Sequence, residues 1–324
     1  MFQVASRPAA PFSDMQTYNH HQHAPTPVLN LPSSLKRPAF KEIVRSNLTK
    51  VDPNIPNYPL EFIKHHLKSR ASEMRRALSL MSIMSSLPKS HLPPFLDVPL
   101  MPSSNPPETN DFPTHLLAVS ANKTPASSPN TPTAASFASQ MSGASAFVSL
   151  YPTNALVLAT HCTQLPPFPI QRSEDETAAS MRLPIIPVTV PHGETFPALH
   201  QFLHDKRSDK LLSFLLPSLS ARFPRPSSSS SSSSRGSQEI PLYVSAFSSD
   251  HVVRFAQELI SAAYAATGPQ GAASGLMAHT KIIQGLWQNT CSLGIHDAEL
   301  WATMDFAYAI ILSALTGLAT RERY

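Results

Sequence analysis

Charge is scarce in this chain. Asp, Glu, Lys and Arg make up 14% of its 324 residues, against about 25% in an ordinary soluble domain. Glycine is scarcer still, with nine residues, so backbone nests that cradle phosphate have few places to form. No G-x-x-x-x-G-K-[ST] loop and no strand-linked G-x-G-x-x-G is present. Nor is there a G-x-S-x-G turn or a pair of carboxylates within one apolar block, which leaves no recognisable nucleophile or acid–base pair. Two cysteines exclude a disulfide framework and point to a reducing compartment. The opening stretch MFQVASRPAAPFSDM has no apolar run of signal-peptide length, so an intracellular location is expected. The longest late uncharged run, Phe306 to Ala319, falls short of the roughly 20 residues that span a bilayer. It reads as a buried core helix rather than an anchor.

Proline is abundant, at 33 residues, and the little charge there is clusters. Between Lys36 and Arg76 stand ten Lys/Arg and four Asp/Glu, a local +6 in a chain whose net charge is +4. Such a segment can attract nucleic acid, an acidic protein or an anionic surface. It lacks interleaved aromatics and any recognition-helix motif, so only weak, unspecific nucleic-acid binding is expected. LKRP, at Leu35 to Pro38, is a weak nuclear-import match.

Periodicity divides the chain. Residues 1–57 read as a disordered arm, rich in Pro, His, Gln and Ser near its start. Its histidines His20, His21 and His23 are composition rather than a metal site. Over 58–84, Ile63, Leu67, Ala71, Met74, Leu78 and Met81 recur at spacings of three and four, which predicts one basic amphipathic helix. Residues 85–145 read as a Pro/Ser-rich linker with a strand at 116–119. An α+β core is expected over 146–219. Phe147–Leu150 should be a strand, 151–154 a turn, and 155–161 a strand passing into a helix. Leu183–Val190 should be a strand at an edge or in an irregular pairing, because Pro184 and Pro187 each lack a ladder donor. Helices are expected from Phe196, capped by Thr195, and from Lys210, capped by Ser208 or Asp209. Eight serines, Ser227–Ser234, mark a flexible loop over 220–239. The region 240–319 carries three helical patterns, with Gly268-Pro269 and Gly294 as stops.

His161-Cys162 and Cys291 with His296 are the only thiol–imidazole sets, and neither has the paired-knuckle spacing of zinc ligands. No catalytic, cofactor or metal residue is expected. Trp287 and Trp301 share stripes with apolar neighbours and read as core rather than as interface anchors. Thr26, Thr124, Ser128 and Thr131 each precede proline in low-complexity sequence and are candidate phosphorylation sites.

Two blocks are more specific: LYPTNALVLATHCTQLPPFP (Leu150–Pro169) with LPIIPVTVPHGETFPALHQFLHDKRSDKLLSFLLP (Leu183–Pro217), and GLWQNTCSLGIHDAELW (Gly285–Trp301). They resemble the clampless protein family of basidiomycete fungi, at positions that include Tyr151, Pro152, His161, Cys162, Phe196, Arg207, Trp287 and Trp301. The resemblance implies a regulator of sexual development, in clamp formation and dikaryon maintenance, acting with the homeodomain mating-type pathway. It brings no catalytic or cofactor residues. The order of elements around FLHDKR also resembles a BTB/POZ domain, although His204-Asp205 replaces the Tyr-Thr expected there. The expected fold is therefore α+β, a small BTB-like strand–helix core followed by three helices. The expected function is non-enzymatic protein interaction, with transcription factors of the mating-type pathway as partners, in nucleus and cytoplasm. Direct, weakly specific DNA binding through residues 36–76 is the alternative.

Overall fold

The continuous apolar run at Leu116–Val119 lies at the centre of a five-stranded sheet. The structure is a computed structural model that describes residues 31–53, 55, 58–121, 147–165, 168, 179–225 and 242–321. Residues 34–324 form one unit, whereas of the preceding residues only 31–33 are described, with no helix or strand. The strands are β1 (Ser86–Pro88), β2 (Phe95–Pro99), β3 (His115–Ala121), β4 (Phe147–Thr153) and β5 (Ser180–Val190), in the spatial order β1-β4-β3-β5-β2. Pairings are antiparallel except β3–β5, which runs parallel with Leu117 opposite Ile186.

The proline-dense stretch after residue 85 is thus part of the sheet and not a linker. β1 and β2 are its edges, where missing donors cost least. Of the two placements expected for β5, an edge or an irregular pairing, the second holds, since the strand lies between β3 and β2. Both of its prolines stand where a neighbouring ladder has stopped. Ile185 donates to Pro94 O at 2.9 Å, toward β2. Backbone N–H groups alternate in direction along a strand, so Pro184 faces β3, whose pairing begins only at Ile185. Pro187 faces β2, whose pairing ends at Pro184.

Both faces of the sheet are buried, which explains why β3 shows no alternation. Leu117 and Val119 enter the main core, whereas Leu116 and Ala118 enter a smaller cluster with Ala77, Met81, Val98 and Leu183. The strand β4 continues through Thr153, replacing the expected turn at 151–154. Asn154 then caps α4 (Ala155–His161), its side-chain oxygen accepting from Leu156 N–H at 3.0 Å.

The N-terminal helices are α1 (Arg45–Val51), α2 (Leu60–Ser69) and α3 (Ala71–Ser79). The first corrects the expected disordered arm, because Leu48 and Val51 are buried in the main core. The single helix expected over 58–84 is broken at Arg70, where ψ falls to −1°. The predicted stripe survives as Ile63, Leu67, Ala71, Met74 and Met81. Within α3, Ala77 is buried in place of Leu78.

Helices α5 (Phe196–Asp205) and α6 (Ser208–Leu215) follow β5. Their expected caps do not form. The Thr195 hydroxyl instead contacts His192 O and accepts from Asn289, while Ser208 bonds to Glu299. The loop expected over 220–239 starts later, since Leu219 and Phe223 are buried and the Phe223 ring packs edge-on against Phe255 at 5.7 Å. Ser227–Ser234 lie outside the described residues. The long helix α7 (Ser249–Ser292) is two helices joined at Gly268, whose φ of 70° and ψ of 177° interrupt the spiral. Only glycine adopts that conformation at little cost. Helix α8 (Ala298–Arg321) is long and apolar enough to cross a membrane by length and composition. Here it packs on α7, with Leu300, Met304, Ala307, Ile311 and Leu318 in the main core.

Candidate functional site

Lys206 ends α5 in the left-handed conformation, with φ 51° and ψ 35°, the only non-glycine residue with positive φ among those described. Its N–H still reaches Phe202 O at 2.8 Å, as a helix C-cap requires. Glycine would suit this backbone better, but it would carry no ammonium. The Lys206 side chain turns inward to Asp297 at 2.8 Å and His161 Nδ1 at 3.4 Å. Asp297 has its own reason to be there: its second oxygen accepts from Leu300 N–H at 2.9 Å, capping α8.

Burial sets the charge states. Burial is the largest influence on Lys206 and lowers its pKa, while the Asp297 carboxylate pushes it back up. Burial also opposes ionisation of Asp297, but the Lys206 ammonium, with hydrogen bonds from Lys206 and Leu300, outweighs it and holds Asp297 at about 2. His161 is driven well below 6.5 by burial first and by the Lys206 charge second. The group is therefore an ammonium–carboxylate pair with a neutral imidazole accepting at Nδ1. Further ionic links surround it. Lys210 meets Asp205 at 3.0 Å, Arg207 grips Asp209 with two nitrogens at 2.7 and 2.6 Å, and Ser208 donates to Glu299 at 2.9 Å.

A cavity of about 350 Å³ lies against this cluster, lined by Phe40, Lys41, Lys64, His161, His296 and Asp297 among others. Cys162, next to His161, is buried, which pushes its thiol up to about 12, and burial raises Cys291 too. A larger groove of about 920 Å³ runs past α2 and β5, with the stacked rings of Tyr58 and Phe62 at its wall. Arg70 lines it too and is tied to Asp111 at 2.9 Å and Glu108 at 2.7 Å.

Other polar residues stitch the strand-bearing part to the C-terminal helices. Thr163 donates from its hydroxyl to Gly294 O at 2.9 Å, and Gln164 N–H donates to Leu293 O at 3.2 Å. Gly294 has φ 63°, and a Cβ there would strike the Thr163 hydroxyl. Asn289, fully buried, donates to His192 O at 2.6 Å and to the Thr195 hydroxyl at 3.0 Å, and accepts from His192 N–H at 2.9 Å. His204 Nδ1 meets His200 O at 2.9 Å, while its Nε2 accepts from Asn154 N–H at 3.3 Å.

The positions singled out in the sequence are distributed across this junction. Tyr151 is half-buried, its ring edge-on to Phe196 at 5.2 Å, and Pro152 lies opposite Leu116 in the sheet. His161, Cys162, Phe196 and Trp301 are buried, and Arg207 is half-buried. Trp301 donates from Nε1 to Ile295 O at 2.9 Å. Trp287 packs at the margin of the main core, only partly buried, and donates to Lys36 O at 2.7 Å. Thr26, Thr124, Ser128 and Thr131 lie outside the described residues, as do His20, His21 and His23. Sequence reasoning missed the Lys206–Asp297 pairing, for which the chain offers only a lysine ending one helix and a capping aspartate beginning another.

The basic segment is also less free than its composition suggests. Of its ten cations, Arg37, Lys64, Lys68, Arg70 and Arg76 pair with carboxylates of the chain itself.

Sheet, bundle and junction define a two-part α+β protein whose parts share one core. The Clampless protein 1 N-terminal domain matches residues 38–191 and the Clampless protein 1 C-terminal domain matches residues 209–323. Together they cover most of the chain, which belongs to the clampless protein family; that membership associates it with clamp development. Lys206 and Arg207 fall between the two matched spans. No curated protein matches the chain, and no solved structure does.

Proposed function

We propose that this protein is a non-enzymatic regulator of clamp formation and dikaryon maintenance that works by binding other proteins. In this reading its partners are transcription factors of the mating-type pathway, and it acts in the nucleus and cytoplasm. The observation that carries the reading is the use made of the buried polar residues. Lys206, Asp297, His161 and Asn289 bond to one another or to backbone across the junction, so they build a shape rather than surround a substrate. Direct DNA binding is supported less well, because half the cations of the basic segment are already neutralised within the chain.

Proximity labelling with the full chain in a dikaryon tests the proposal. Enrichment of nuclear regulators, together with rescue of clamps in a strain lacking the gene, is the expected result. Labelling dominated by membrane proteins, or rescue without any enriched protein, would sink it.

A further inference from the structure

The residues just before the first helix run as an extended strap over the C-terminal helices. No helix or strand is formed between residues 34 and 44, so side chains and single backbone groups hold the strap. Leu35 packs on the main core. Lys36 O accepts from Trp287 Nε1 at 2.7 Å. Arg37 meets Asp305 at 2.8 Å, with its guanidinium 5.5 Å from the centre of the Trp301 ring. Phe40 sets its ring edge-on to His296 at 5.1 Å, and Lys41 N–H points to His296 Nε2 at 3.4 Å. The same stretch roofs the cavity beside the Lys206–Asp297 pair.

These contacts select a pattern yet hold it weakly. An aliphatic residue, a backbone carbonyl, a guanidinium and an aromatic ring each meet a receptor group of fitting chemistry: apolar core, indole N–H, carboxylate over indole, and imidazole. The Arg37 and Asp305 side chains remain 59% and 40% exposed, and Phe40 is 76% exposed. Solvated ion pairs of this kind add little, so the strap is cheap to displace.

We propose that the surface formed by Trp287, His296, Trp301 and Asp305 is a receptor for short segments of pattern aliphatic–Lys–Arg–Pro–x–aromatic carried by a partner protein, and that Leu35–Phe40 fills it in cis. This inference rests on the protein-interaction reading and names its surface. Displacement by a partner's segment also frees the chain's own LKRP sequence, so docking and exposure of that import-like motif are coupled. Asp305 supplies the charge complementarity, and the strap shows the chemistry that the surface accepts.

The test titrates a fluorescein-labelled peptide of residues 34–44 into the full chain and follows its anisotropy. With Arg37→Glu, which sets the strap's anchor against Asp305, the peptide should bind at least ten times more tightly than to the wild type, whose site is occupied. Adding Asp305→Arg should abolish that gain. Phe40→Ala, at an exposed position, gives a second released strap should Arg37→Glu lose its native circular dichroism. Equal affinity for wild-type and released chains, or no binding to either released variant, overturns the proposal. A wild-type dimer that Arg37→Glu dissociates would make a second copy the occupant and overturn the partner assignment. Failure here would leave the proximity-labelling result standing, since partners can dock elsewhere.

Discussion

The Lys206 ammonium stands 2.8 Å from the Asp297 carboxylate although 91 residues separate them in the chain. One is the last turn of a helix that follows the sheet, the other the cap of the final helix. The contact joins them with 9% and 13% of their side-chain surfaces left exposed. Removing one partner would strand the other in low dielectric.

Lys206→Met or Asp297→Leu alone should therefore cost about 3–5 kcal/mol, and the double substitution distinctly less than their sum. Urea unfolding of the four proteins in a double-mutant cycle measures this. Additive losses would mean that the two charges do not sense each other.

Acid should weaken the fold earlier than carboxylate protonation alone can. Burial lowers His161 and His200 well below 6.5 and His204 to about 4. Each is neutral when folded, whereas the unfolded chain takes up protons below 6.5, so their stabilisation is complete above 6.5 and lost as pH falls toward the folded values. For His204 alone the loss by pH 4 is about 3 kcal/mol. Asp297, held at about 2, adds a further loss only below 3.8. Melting temperature followed from pH 7 to pH 4 should fall steadily, and a flat profile down to pH 4.5 would contradict these burials.

The two tryptophans should behave differently. Trp301→Ala should cost about 3–5 kcal/mol, as removal of a buried aromatic does. Trp287→Ala should cost less, about 1–2 kcal/mol, because a ring packed at the margin of the core and one indole hydrogen bond are lost. Fluorescence separates them without unfolding: Trp287→Phe leaves a blue-shifted, iodide-resistant emission, and Trp301→Phe leaves the more quenchable one.

At Gly285 a Cβ would come within 2.5 Å of His192 Cγ, an atom close to the backbone that cannot swing aside. Gly285→Ala should cost about 1–3 kcal/mol. Adding His192→Ala should recover part of that loss, read as a rise in melting temperature over the single variant. A Gly285→Ala protein as stable as the wild type would mean that the ring moves freely.

Local signals were legible wherever a residue's neighbours in sequence are also its neighbours in space. The stripe Ile63–Leu67–Ala71–Met74, the break at Gly268 and the turn at Gly294 are of that kind. The edge strands β1 and β2 were not, because their proline content is permitted only by their position, and position is set by β4 and β5. Arg70 reads in the sequence as one more solvated cation, because its partners Glu108 and Asp111 come from beyond α3. The junction was hidden for the same reason: Lys206, Asp297 and Asn289 find their partners across 91 to 97 residues, where no periodicity reaches.

Leu48 of the first helix and Leu318 of the last share one hydrophobic core. A nascent chain emerges from the ribosome one residue at a time, and for most of its synthesis this protein exposes half an interior with nothing to cover it. The final helix is the piece it waits for. A message truncated anywhere before that helix should yield material for chaperones and proteases rather than a smaller working protein.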